Sequence, residues 1–263
     1  MTKSSYLKSC LSPSSKLFTP IAKATASLSQ RSKAFAVYAY PCIGQLRFLN
    51  TRLTHHPSYP TVLARLRGGA TLLDAGCCFA QELRHLVREG IPSTQLYGFD
   101  LEPRFIEFGY DLFRDRDLFQ ATLLAGDVLA EPGSKGSGGL DTLVGEMDVV
   151  FASSFLHLWD WADMKAVAKR LVAFTRQIPG AVVLGRQLGS LTAGSRSMPM
   201  EGGSSYWHNV ESMREFWKEV GEETETRWGV EGGLREEEEI TENMGHAWAE
   251  PSMRILYWTA VRQ

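Results

Sequence analysis

The sequence predicts an α/β fold, a seven-stranded and mostly parallel sheet with helices on both faces, and three observations predict it. From about residue 70 to residue 190, short apolar runs alternate with amphipathic helical stretches. The first run, Ala70 to Asp74, breaks into a Gly-Cys-Cys turn directly ahead of the helical stretch AQELRHLVREG. A further helix and two strand-like segments after residue 209 are enough to complete a mixed sheet.

Taken in order, the first 33 residues are rich in Ser, Lys and Ala, with no acid. That composition belongs to an organellar presequence or to a flexible tail, and the single arginine, Arg31, fits the first only in part. The chain therefore divides into a tail, 1–33, and one domain, 34–263. Ala34 to Pro41 and then IGQLRFLNTRL read as covering helices, ended by the turn-forming HHPSYP. TVLARLRGG is a helix that starts at Pro60 and is stopped by Gly68-Gly69. After the first strand and its helix, QLYGFD is a second strand, EPRFIEFGYDLFRD a helix, ATLLAGD a third strand and MDVVFAS a fourth. The Gly- and Ser-rich EPGSKGSGGLDTLVGE reads as an exposed loop. WADMKAVAKRLVAFTRQI is an amphipathic helix and PGAVVLGRQLG a fifth strand. SLTAGSRSMPMEGGSSY reads as a loop, VESMREFWKEVGEE as a helix, and TRWGVEGGL and MRILYWTAV as the closing strands.

Composition bounds the function. With 44% hydrophobic and 22% charged residues, the 263-residue chain has the profile of one globular domain with a sizeable core. The formal net charge is -2, and the first 73 residues hold ten Lys or Arg and no acid, against 18 basic and 30 acidic residues in the remainder. Neither figure declares the basic face that nucleic acid requires. No run approaches the ~18 apolar residues of a membrane span. Cys10, Cys42, Cys77 and Cys78 form no CxxC pair and no disulfide framework, so neither a metal site nor a secreted scaffold is expected, and a cytoplasmic location is.

Three strand ends carry the chemistry. In an open parallel sheet, ligands lie beyond the carboxyl ends of the strands at the switch point. At the first end, Asp74 and Gly76 frame a tight turn through Cys77, where glycine lets the backbone approach a ligand. The usual glycine fingerprint would continue at 78 and 80, where the chain has Cys78 and Ala80. At the second, Asp100, with Leu101 beside it, stands where an acid meets ribose hydroxyls; its other reading is a helix N-cap. At the third, Gly126-Asp127-Val128 brings a carboxylate to the amine of adenine or merely opens a turn. Ala152 and Ser153 end the fourth strand, followed by an aromatic cluster around His157. That histidine is either a base or substrate-orienting group, or a packed core residue. Cys77 and Cys78 fit small apolar packing better than a nucleophile. The acid run Glu236 to Glu239 reads as a solvated loop, and Trp207 and His208 as pocket lining or core. These contacts suit an adenosyl cofactor with an amino-acid tail, S-adenosylmethionine.

YAYPCIG, the segment from Gly68 to Phe119, DVVFASSFLHLWDW and GRQLGS together resemble the fungal methyltransferases of meroterpenoid biosynthesis, a branch of the class I, Rossmann-like methyltransferase fold. The resemblance runs from about residue 36 to the end and does not cover residues 1–33. It implies methyl transfer from S-adenosylmethionine to oxygen, characteristically a carboxyl group of a polyketide-terpenoid intermediate. It also implies Asp100-Leu101, Asp127-Val128 and Ala152-Ser153 as cofactor contacts. Mechanism favours the same acceptor: a carboxylate is already ionised near neutrality, whereas a phenol, with a pKa near 10, gains from a base. The alternatives are a phenolic or hydroxyl O-methyltransferase of a secondary metabolite and an inactive cofactor-binding partner subunit. A nicotinamide oxidoreductase is disfavoured by Cys78 and Ala80 and by the want of a Tyr-x-x-x-Lys motif. The expected partner is a small aromatic or terpenoid carboxylic acid; a homodimer is left open.

Overall fold

The computed structural model describes residues 24–38, 41–197, 203–237, 240 and 249–263. Helix α1 (Ala24–Val37) spans the boundary drawn at residue 33, and α2 (Pro41–Gly44) follows. The helix expected over IGQLRFLNTRL is instead broken into two 3-10 turns, Arg47–Leu49 and Leu53–His55. Leu46 adopts the left-handed region (φ 58°) and Asn50 is extended, and neither conformation continues a helix. Helix α3 (Tyr59–Arg67) has proline in its first turn and gives way to Gly68-Gly69.

The alternating core follows as β1 (Leu72–Ala75), α4 (Gln81–Arg88), β2 (Leu96–Asp100), α5 (Pro103–Phe113), β3 (Thr122–Ala125), β4 (Val149–Ser153), α6 (Trp161–Phe174) and β5 (Val182–Ser190). Strands β6 (Gly194–Ser197) and β7 (Ser204–Trp207), helix α7 (Val210–Glu223), β8 (Trp228–Arg235) and β9 (Met253–Arg262) complete the chain. Seven strands form one sheet in the order β3-β2-β1-β4-β5-β9-β8. The pairings from β3 to β5 are parallel, and β9 runs antiparallel to both β5 and β8. This is the predicted Rossmann-like sheet.

Strand alternation sorts the side chains into two layers. Leu72, Phe151 and Leu184 pack with Leu66, Leu83 and Leu86 on the face covered by α3 and α4. Leu73, Val150 and Val183 pack with Leu171, Phe216 and Trp217 on the face covered by α6 and α7. No described helix is long and apolar enough to cross a membrane.

Two expected loops are ordered differently. Within SLTAGSRSMPMEGGSSY, β6 and β7 pair as an antiparallel hairpin, and the buried Ser205 donates its hydroxyl to the His157 carbonyl at 2.5 Å. The Gly- and Ser-rich stretch folds back onto the end of β3. Asp127 donates its amide to the Gly136 carbonyl at 3.0 Å, and at Gly138 (φ 56°) a Cβ would lie 1.8 Å from the Ala125 carbonyl oxygen. Glycine is there because the backbone, not solvent, fills the space. Asp141 holds the stretch by accepting from Gly133 and Ser137 and pairing with Arg170, which lowers its pKa to about 2.

His56 fastens the N-terminal segment to the sheet. Its Nε2 donates toward the Gly185 and Trp258 carbonyls, each at 3.2 Å, while Nδ1 accepts the Ser58 amide at 3.1 Å. Burial pushes its pKa from 6.5 down to about 4, and that of His208 to about 3. Both are lowered on folding, so their stabilisation is complete above pH 6.5 and is lost as the pH falls toward the native values. In urea denaturation the His56 contribution to stability is expected to fall by up to ~3 kcal/mol between pH 6.5 and 4, at ~1.4 kcal/mol per pH unit, while the raised carboxyls of Glu82, Asp74 and Asp100 act on the total with the opposite sign. His56→Asn should be less stable at pH 7 yet fall less on acidification. The difference between the two profiles isolates His56, because Glu82, raised to about 7 by burial, acts with the opposite sign.

Candidate functional site

Strand order reverses between β1 and β4, and the residues predicted as ligand contacts lie at or just beyond the carboxyl ends of β1 to β4. Asp74 is 3% exposed, and its Oδ2 has no hydrogen-bond partner among the described residues. Burial, then the charges of Glu82 and Asp100, push its pKa well above the usual carboxylate range.

The turn after β1 keeps the backbone of a glycine-rich loop with only the first of its glycines. Gly76, Cys78 and Ala80 have φ of 73°, 51° and 50°, the left-handed region at all three fingerprint positions. Each non-glycine residue held there costs about 1 kcal/mol. The end of β2 offsets that cost: the Gly76 and Cys77 amides both donate to the Phe99 carbonyl at 2.9 Å, and the Cys78 amide donates to Asp100 Oδ2 at 2.8 Å. Cys77 turns its side chain into the core against Gly98, and burial pushes its thiol pKa up, so it presents backbone alone to the edge. A Cβ on Gly76 would lie 2.6 Å from the Phe155 ring, so this glycine also makes room for that ring.

Asp100 does not cap the following helix. Glu102 is the N-cap, its carboxylate accepting the Arg104 amide at 3.0 Å. The Asp100 carboxylate instead joins two strand ends, Oδ2 to Cys78 and Oδ1 to the Glu102 amide at 3.0 Å, and burial raises its pKa. Leu101 beside it is 70% exposed. Beyond β3, the Gly126 amide donates to the Asp100 carbonyl at 3.0 Å. Asp127 Oδ1 accepts the Leu129 amide at 2.9 Å, as in a turn, and Val128 is buried in the core. In β4, Ala152 is buried and Ser153 half-buried. Ser154 then takes φ 52° and donates its amide to the Arg186 carbonyl at 2.6 Å.

His157 follows, in the 3-10 turn Leu156–Leu158, buried, with Nδ1 accepting the Leu188 amide at a long 3.4 Å. A neutral imidazole accepting through Nδ1 carries its proton on Nε2 and is a donor there. Trp207 and His208 resolve to core: His208 is fully buried among Trp161, Tyr206 and Phe216, its Nδ1 2.9 Å from the Ser212 hydroxyl.

Sequence reasoning missed the roles of five charged residues. Glu82, in the first turn of α4, accepts the amides of Arg52 and Leu53 and so pins the N-terminal segment beside Asp74. Arg84 forms a fully buried pair with Asp115. Arg186, 1% exposed in β5, pairs with Glu237 at 2.9 Å, and the Tyr257 hydroxyl donates to the same carboxylate. Glu237 was read as part of a solvated acid run. It is drawn out of that reading by the buried guanidinium, while Glu236 makes a surface pair with Arg254. A charged residue inside the apolar run VVLGRQLG was the available signal.

The O-methyltransferase phiE of a fungal species is 45% identical over 215 residues, covering 81% of this chain and 70% of the relative. The O-methyltransferase atr3 of Stereocaulon alpinum is 40% identical over 234 residues, covering 88% of this chain and 65% of the relative. The chain thus spans about two thirds of the length of these relatives. Among solved structures, the Burkholderia thailandensis 1,6-didemethyltoxoflavin-N1-methyltransferase superposes with a TM-score of 0.56 at 13% identity, covering 93% of this chain and 92% of the other, a likeness of fold. No family model matches the chain.

Proposed function

The chain belongs to the family of fungal O-methyltransferases of secondary-metabolite biosynthesis, and from that premise we propose that it methylates a carboxylate oxygen of an aromatic or terpenoid acid, with S-adenosylmethionine as donor. The residues at the strand ends fit that cofactor. The partnerless, buried Oδ2 of Asp74 suits the ammonium of its amino-acid tail. Asp100 keeps lone pairs for the ribose hydroxyls beyond its two amide contacts. Exposed Leu101 offers an apolar surface for adenine, and Asp127 has a second oxygen for its amine. Bound there, the cofactor supplies a methyl group activated by a positively charged sulfur.

The observation that carries the choice of acceptor is the hydrogen bond from the Leu188 amide to His157 Nδ1. In that tautomer Nε2 of His157 is a donor, which suits orienting an acceptor oxygen better than removing its proton. An acceptor ionised before it binds needs only alignment in a dry pocket. His157→Ala is therefore expected to keep turnover within about tenfold, whereas loss of a true general base costs 10²–10⁴-fold. A larger loss would favour a phenolic acceptor.

The test is incubation with labelled S-adenosylmethionine and a panel of aromatic and terpenoid carboxylic acids. The expected product is an ester whose label is released by base hydrolysis. A base-stable ether would point to a phenol, and tight cofactor binding with no product from any acid or phenol would point to an inactive partner subunit.

A further inference from the structure

We propose that Arg186 binds the carboxylate of the acceptor, and that Glu237 occupies its guanidinium until the acceptor arrives. The proposal rests on the carboxyl-methylation reading above. Arg186 lies in a strand buried along almost its whole length, where an unneutralised charge costs several kcal/mol. A carboxylate that neutralises it comes from outside that strand: Glu237, just after β8, accepts from Arg186 Nη2 at 2.9 Å and from the Tyr257 hydroxyl of β9. Glu237 is 21% exposed and Arg186 only 1%, so an incoming acid meets the guanidinium as Glu237 moves off it.

The sheet places this pair on the acceptor side. Across the ladder Asp74 aligns with Phe151 and Phe151 with Leu184. Arg186 is two residues nearer the carboxyl edge, opposite Ser153, and by alternation on the same face. Strands spaced ~4.8 Å apart put β5 about 10 Å from β1. The ribose and adenine contacts run the other way, from β1 to β2 to β3, so a cofactor laid over them turns its amino-acid end toward β4, with the sulfonium between Asp100 and Asp74. The acceptor then lies over β5. A guanidinium fork binds a carboxylate through two parallel hydrogen bonds, and Glu237 is the chain's own carboxylate in that place. The Tyr257 ring centroid lies 6.0 Å from the guanidinium carbon. His56 Nε2, 3.2 Å from the Gly185 carbonyl, brings the N-terminal segment against the residue next to Arg186.

Arg186→Gln, Arg186→Lys and Glu237→Gln, made in the full chain, test the proposal. Arg186→Gln is expected to raise KM for the methylated acid by about 10- to 100-fold, with kcat far less affected and partial rescue in Arg186→Lys. The affinity for S-adenosylhomocysteine should not change. Glu237→Gln should behave oppositely: benzoate, a minimal aromatic carboxylate, should raise its Tm more than that of the parent protein in saturating S-adenosylhomocysteine, and benzyl alcohol should not. Adding Arg186→Gln should abolish that benzoate effect. Should Arg186→Gln fail to fold, the benzoate response of Glu237→Gln decides alone.

An unchanged KM in folded Arg186→Gln, or no added benzoate effect in Glu237→Gln, overturns the proposal. So does weakened binding of S-adenosylhomocysteine with unweakened binding of 5′-methylthioadenosine, which lacks the amino-acid tail; the guanidinium would then serve the cofactor's carboxylate. If the parent protein methylates no acid while the benzoate effect appears and depends on Arg186, the carboxylate site stands and the carboxyl-methylation reading falls.

Discussion

Asp100→Ala is expected to weaken S-adenosylhomocysteine binding by about 10²–10³-fold, the cost of losing two hydrogen bonds to a charged acceptor at 1.5–3 kcal/mol each, less what water recovers. Two effects combine in this variant. The ribose hydroxyls lose their acceptor, and the Cys78 and Glu102 amides lose theirs, which loosens a turn already held in the left-handed region. Adenosine and 2′,3′-dideoxyadenosine separate the two. The parent protein should prefer adenosine, and Asp100→Ala should bind both equally, because the turn acts on either ligand while only the carboxylate reads the diol. A parent protein indifferent to the hydroxyls would remove Asp100 from ribose binding and leave it a purely structural tie between β1 and β2.

Arg84→Ala is expected to be the most destabilising of the substitutions considered, at about 3–5 kcal/mol, the range for breaking a buried ion pair from one side. Arg84 meets Asp115 through two hydrogen bonds of 2.7 and 2.9 Å, with both side chains at most 2% exposed. Its Nη1 donates to the Phe79 carbonyl at 2.6 Å, and its guanidinium carbon lies 4.3 Å from the Phe119 ring centroid and 4.7 Å from that of Phe113. Alanine strands the Asp115 carboxylate and empties an aromatic slot together. The melting temperature should fall by roughly 10 °C, at 2–4 °C per kcal/mol for a domain of this size. Arg84→Met combined with Asp115→Leu should recover most of the loss, since a buried pair replaced by apolar groups of similar volume is often neutral. If the double variant is as unstable as Arg84→Ala, the contacts to Phe79 and the rings, not the stranded charge, account for the effect.

The alternating strands and the edge at which Asp74, Asp100 and Asp127 gather were legible because each apolar run ends in a small or acidic residue before a helical period begins. The conformation of Cys78 and Ala80 was not. Neither residue favours a positive φ; Asp100 at the end of β2, over 20 residues away in sequence, holds Cys78 there, and the Ala80 amide donates back to the Cys77 carbonyl. The β6–β7 hairpin was hidden by its polar composition, GSRS against SSYW, because its burial comes from packing under the aromatic segment after β4 and not from its own hydrophobicity. Glu237 was lost among its neighbours: a window of acids averages to a solvated loop, and only a partner 51 residues away makes one of them different. The helix written over residues 43–53 failed at Leu46 and Asn50, where dihedrals overrode a spacing that fits a helix.

The position of β9 has a bearing on the order in which the fold assembles. β9 follows β8 in sequence yet lies between β8 and β5, so β8 has no strand partner until β9 is in place. During synthesis, β1 to β5 can pair as they emerge, while β8 waits for residues 253–262 before it has a strand to pair with. Until then β5 presents an unpaired, apolar nine-residue edge, open to other nascent chains. Tyr257 arrives on that same strand, so Arg186 gains the full set of neighbours around its counter-ion only at this late step. The half proposed to hold the nucleoside can therefore mature first, and the proposed acceptor side is completed when the final strand slides into its slot.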